Sequence, residues 1–175
     1  MNENNITLKA GLTIKDIALI GVMTATLEAG KYALSFIPNI EIVSLLIILY
    51  TIFFEKKVIY AIFCFIVLDG CIYGFGLWWI MYLYAWPLLS LLTSWLRKSG
   101  SAMTYSILSG MFGLCFGALC VLPYLFIGGI KTAFTWWIAG IPYDIIHCIG
   151  NFILCIVLFN PLYWVLGRIK REYYS

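Results

Sequence analysis

The chain has 175 residues, 63% of them hydrophobic and 11% charged, with a net charge of +3. Soluble domains are typically about 45–50% apolar and about 25% charged, so a mean hydropathy of +0.99 excludes an ordinary water-soluble globule and a disordered chain. At roughly 20 residues per helical span, the length predicts one all-α membrane domain of six transmembrane helices, with no room for a built-in ATPase domain.

In chain order, the polar segment MNENNITLKAG leads into a first span at about 14–36, which stops at Pro38-Asn39. That apolar run is long and carries charge, which argues against a cleavable signal peptide. A second run, 40–54, stops at Glu55-Lys56-Lys57; it is short, and the expectation is a tilted helix or one partly outside the core. The third, 58–73, ends in Gly74-Phe75-Gly76, and the fourth, 77–96, ends at Arg97-Lys98-Ser99-Gly100. The fifth is expected over 102–127, up to Gly128-Gly129, and the sixth over 141–166, before the basic tail. Glycine, proline and charge supply the boundaries. KTAFTWWIAG (131–140) reads as a loop or broken helix ahead of Pro142.

Placing both termini in the cytoplasm puts Lys9, Lys15, Lys56, Lys57, Arg97, Lys98, Arg168, Lys170 and Arg171 inside, nine of the eleven basic residues. Only Lys31 and Lys131 fall on the other half, and this bias sets the expected orientation. The outer loops then lie at 38–39, 74–76 and 128–136. The basic residues therefore report membrane orientation rather than nucleic-acid binding. The six cysteines form no CxxC and lie inside apolar runs, where small apolar packing is the expectation and metal-ligand spacing is absent. No internal repeat is apparent.

Ionisable residues inside a membrane are uncommon and usually functional. Here they are Glu28, Lys31, Asp69, Asp144 and His147, with Glu41 at the entrance to the second span. At about 1.5 Å per residue, Glu28 lies about 20 Å above Lys15 and Asp69 about 18 Å above Lys57. Asn151, His147 and Asp144 lie about 25, 31 and 36 Å above Arg168, in a core about 30 Å thick. All fall in the outer half or at the outer surface. Asp144, His147 and Asn151, at i, i+3 and i+7, share one face of the last span. Structural readings stand beside this: Asp144 near a helix start, His147 in an interhelical hydrogen bond, Glu28 or Asp69 paired with Lys31. Trp78, Trp79, Tyr82, Tyr84, Trp86, Trp136, Trp137 and Tyr143 crowd the same level. An interfacial belt explains aromatics there. It does not explain carboxylates, an imidazole and an amide at one depth, which with aromatic walls describe a pocket for a small, flat, polar ligand. Along the first span, Gly21, Ala25 and Ala29 form a smooth face, suited to packing in the same bundle or to docking another membrane subunit.

The AxxxA step at Ala25 and Ala29, the late segment GIPYDIIHCIGN (140–151) and the six-span plan together resemble a substrate-binding S component of an energy-coupling factor (ECF) vitamin transporter. The resemblance covers nearly the whole chain. It implies a binding subunit rather than an enzyme, in a prokaryotic plasma membrane, without cofactor or metal. It implies a pocket near the outer face for a vitamin or cofactor precursor, and docking onto a transmembrane coupling subunit driven by two cytoplasmic ATPases. Gly21, Ala25 and Ala29 would be the docking step. Trp78, Trp79, Tyr82, Trp86, Trp136, Asp144, His147 and Asn151 would supply the pocket by depth and chemistry, since no family motif fixes them individually. Three other readings stay open: a self-sufficient secondary carrier or channel, an intramembrane aspartyl peptidase using Asp69 and Asp144, and a purely structural membrane subunit. The missing repeat and small size weigh against the carrier, and six spans against the peptidase, for which four are expected.

Overall fold

The computed structural model describes residues 11–175. Lys9 and the rest of the polar N-terminal stretch lie outside the described residues. Six α-helices and one 3-10 turn follow one another, and no strand occurs among the described residues. They are α1 (Ile14–Leu34), α2 (Val43–Phe54), α3 (Lys57–Tyr73), α4 (Leu77–Trp95), the turn Arg97–Ser99, α5 (Ala102–Cys120) and α6 (Leu122–Tyr174). Four of them, α1, α4, α5 and α6, are long and apolar enough to cross a membrane. These features are compatible with a membrane protein.

Local chemistry accounts for the helix ends. A capping box starts α1: the Thr13 hydroxyl accepts from the Asp16 N–H at 3.2 Å, and the Thr13 N–H donates to Asp16 Oδ2 at 2.8 Å. The N-cap of α2, Ile42, has no side-chain acceptor. The carboxylate of Glu41 takes that role, accepting from the Ser44 N–H at 2.8 Å. Ser101 caps α5 through the Thr104 N–H.

The short second helix is the centre of the bundle. Eleven of its twelve residues are buried, and it packs against α1, α3, α4, α5 and α6. A helix that touches protein on every side needs no polar face, and VSLLIILYTIFF has none. At about 18 Å it is too short to cross a bilayer core; its neighbours enclose it.

The expected fifth span also changes. Helix α5 ends at Cys120, and residues 122–128 start a separate helical segment with Pro123 in its first turn. The break comes at Gly129, with φ 70° and ψ −176°, a conformation open to glycine and costly for other residues. Beyond it the chain is helical from Ile130 to Tyr174, so 131–140 is helix rather than loop, and Pro142 lies inside the helix rather than at its start. The two segments fold against each other through stacking of Tyr124 on Trp136, 4.7 Å between ring centroids.

Three glycines of α5 let it approach α6 closely. A Cβ on Gly113 would lie 2.9 Å from the backbone carbonyl of His147, one on Gly110 would lie 3.2 Å from the Cys148 carbonyl oxygen, and one on Gly117 would overlap the Asp144 carboxylate. This GxxxG seam (Gly113, Gly117) fixes where the polar face of α6 sits.

At one end of the bundle, polar ties join three elements. Asp16 of α1 accepts from Lys57 of α3 at 2.5 Å and from the hydroxyl of Tyr173 near the end of α6. Nearby, Arg97 donates to the Ile52 carbonyl at 2.7 Å and pairs with Glu55 at 3.0 Å. The candidate site lies at the opposite end.

Candidate functional site

The connection between α1 and α2 (35–42) forms one side of a half-open cavity of about 340 Å³. Its walls come from several regions of the chain. Lys31 and Leu34 belong to α1, Asn39 and Glu41 to the connection, Tyr82 and Trp86 to α4, and Phe116 and His147 to α5 and α6. A volume in this range suits a small-molecule ligand.

Glu41 organises one wall. Its Oε1 accepts from Asn151 Nδ2 at 2.9 Å and from the Ser44 hydroxyl, and lies 3.4 Å from His147 Nε2. Its Oε2 accepts from the Ser44 N–H. Burial presses the Glu41 carboxyl up, but hydrogen bonds from His147 and Ser44 outweigh it and hold the group below the ordinary carboxylate range. The start of α2 adds its partial positive charge. Glu41 is therefore a carboxylate held in place on the cavity wall by α2 and α6 together.

A second wall is cationic and aromatic. Lys31 forms an ion pair with Asp69 of α3, whose side chain is fully buried. The Lys31 ammonium also lies 4.6 Å from the ring centroid of Tyr73 and 5.3 Å from those of Trp78 and Tyr82, within cation–π range. Glu28 is close to Asp69 and Lys31. The third wall is a ring cluster. Trp86 sits 5.2 Å from Tyr82 and 5.7 Å from Phe116, and Phe116 sits edge-on to His147 at 5.1 Å. Trp86 is 3% exposed, and its indole N–H has no acceptor among the described residues.

The residues expected to form a pocket divide. Tyr82, Trp86 and His147 line the cavity, and Asn151 lies behind it, orienting Glu41. Trp78 packs against Tyr82 at 5.4 Å and against the Lys31 ammonium, one layer out. Trp79 is used elsewhere, donating its indole N–H to the Ile66 carbonyl at 2.8 Å to tie α4 to α3. Asp144 is a helix–helix tie: Oδ1 accepts from the Gly117 N–H at 2.9 Å. It is not among the cavity-lining residues. Trp136 is 55% exposed and stacked on Tyr124, away from the cavity. The i, i+3, i+7 spacing put Asp144, His147 and Asn151 on one face, yet α5 covers one end of that face and the α1–α2 connection the other.

Lys31, Glu41 and Phe116 line the cavity but were not expected there as pocket residues. An ionisable side chain within or at the entrance of an apolar run marked Lys31 and Glu41 as unusual without assigning them to a wall. The GxxxG of α5 was the available signal for Phe116, because the seam it sets turns the residue before Gly117 toward His147.

Asp69 and Asp144 have separate partners, Lys31 and the Gly117 backbone. Among the described residues no group of three or more His, Cys, Asp or Glu side chains could hold a metal ion. The six cysteines are free. Gly21, Ala25 and Ala29 all lie on the exposed face of α1, and a Cβ at Gly21 would meet nothing within 4 Å. The bundle thus leaves this smooth stripe uncovered. No family model, curated protein or solved structure matches the chain.

Proposed function

We propose that the protein is the substrate-binding subunit of an ATP-driven importer, an S component of the ECF type, which captures a vitamin or cofactor precursor. In this reading the six helices form one membrane-spanning bundle with both termini in the cytoplasm of a prokaryotic cell. The cavity faces outward, because the Asp16–Lys57–Tyr173 end carries the basic residues. The supporting observation is the cavity itself: a half-open space of about 340 Å³ combining ring faces with an oriented carboxylate, an imidazole and an indole donor that has no partner among the described residues. Such a mixture holds a small solute by shape and fixes its orientation by a few polar contacts.

In this reading the energy for release comes from partners: a transmembrane coupling subunit and two cytoplasmic ATPases. The uncovered stripe of Gly21, Ala25 and Ala29 supports docking through α1, since small residues let a second helix approach closely in lipid. Two measurements test the reading. Native mass spectrometry of the purified protein is expected to find a bound small molecule, lost when His147 is replaced by Ala. Ala25→Trp is expected to abolish co-purification with a coupling subunit while leaving that bound molecule in place. Gradient-driven uptake into proteoliposomes by this chain alone would instead favour a self-sufficient carrier.

A further inference from the structure

The ligand's charge is legible in how the cavity has already used its own. Lys31 is the one lysine or arginine in the lining. Its charge is taken by Asp69, which is wholly buried and has no other cation as partner in an ion pair among the described residues. An anionic ligand would have to draw Lys31 away from a carboxylate that cannot be resolvated, and would face Glu41 and the nearby Glu28 as it did so. Removing one partner of a buried pair is strongly unfavourable.

Glu41 is differently placed: its ion-pair partner is His147, at 3.4 Å and charged only when protonated, rather than a lysine in close contact. An ionised carboxylate has about four acceptor sites. They divide about two to each oxygen: three groups crowd Oε1, one of them through the long contact to His147, whereas Oε2 accepts only from the Ser44 N–H. One acceptor direction of a carboxylate lining the cavity is therefore spare. The remaining lining is rich in ring faces, from Tyr82, Trp86 and Phe116, and aromatic faces attract cations. The Trp86 indole N–H is a buried donor without a partner among the described residues, so an acceptor on the ligand completes it.

We infer that the cavity takes a flat heteroaromatic cation, such as a protonated amino-heterocycle or amidinium, with its N–H edge on Glu41 and its ring among Tyr82, Trp86 and Phe116. This rests on the binding-subunit reading and specifies its substrate class. Neutral or anionic rings of the same shape lack the charge that the spare Glu41 acceptor and the ring faces favour.

Three probes of one shape test the inference: benzamidine, cationic at neutral pH; benzamide, neutral; and benzoate, anionic. Each is titrated calorimetrically into the full-length protein in nanodiscs. Benzamidine is expected to bind about tenfold or more tightly than benzamide, with benzoate weakest. Glu41→Gln is expected to bring benzamidine and benzamide to within about threefold of each other. The wild-type series stands even if that variant folds poorly. Equal binding of the three, or tightest binding of benzoate or benzamide, overturns the charge assignment and leaves a binding cavity standing. No binding of any of the three, together with no co-purified small molecule, overturns both readings.

Discussion

Gly113→Ala adds one methyl group at the tightest backbone contact between α5 and α6. The new Cβ would lie 2.9 Å from both the carbon and the oxygen of the His147 carbonyl, and 3.1 Å from the Cys148 nitrogen. Carbon atoms pack at about 3.5–4.0 Å, and backbone atoms cannot rotate aside as a side chain can. The helices must part by roughly half an ångström to one ångström. Overpacking of this kind costs about 1–3 kcal/mol, and for a chain of this length each kilocalorie moves the melting midpoint by about 2–4 °C. The expected result is an apparent midpoint roughly 2–12 °C below wild type, read by intrinsic fluorescence in detergent. The displaced backbone is that of His147, whose contact to Glu41 is already 3.4 Å, so ligand retention is expected to fall together with stability. Gly21→Ala is the control: its Cβ meets nothing within 4 Å, and alanine is the better helix former. Its midpoint is expected to stay unchanged or rise slightly. A Gly113→Ala protein that melts at or above wild type would refute the seam as the element that positions α6.

Lys31→Ala strands the buried Asp69 carboxylate and is expected to destabilise the fold by about 2–4 kcal/mol, just below the range for fully buried pairs, because the Lys31 side chain is 26% exposed. The double variant Lys31→Met/Asp69→Leu removes both charges and is expected to recover most of that loss in the same melting assay; a double variant no better than the single one would rule out charge stranding as the cause. Asp144→Ala removes the acceptor for the Gly117 N–H and is expected to cost about 1–3 kcal/mol, whereas Asp144→Asn keeps an acceptor and stays near wild type. Neither is expected to change the affinity of the folded protein for its solute by more than about threefold, because Asp144 lies outside the cavity lining; a large affinity loss in Asp144→Asn would return Asp144 to the binding site.

Helical class and most helix boundaries were legible in the sequence. Apolar runs with glycine, proline and charge at their ends are local signals, and α1, α3 and α4 begin and end within two residues of expectation. Ionisable groups in and beside the apolar runs were visible too, and Lys31, Glu41, Asp69 and His147 gather at one end of the bundle. Membrane-scale hydrophobicity imposes both results, because it acts on each segment separately.

What the segments do to one another was decided only in three dimensions. Hydropathy weighs a helix but not its neighbours, so the shortest one, α2, could not be recognised as the centre. Helical spacing grouped Asp144 with His147 and Asn151, yet the approach of Gly117 turned Asp144 into a tie to α5, while the α1–α2 connection brought Glu41 to the other two. Tryptophan at the correct depth was no guide to function either: Trp86 lines the cavity, Trp79 ties two helices together and Trp136 lies outside. Periodicity specifies which side chains share a face, but which partner covers that face follows from close packing between segments distant in the chain, and this packing decides which polar groups remain for a ligand.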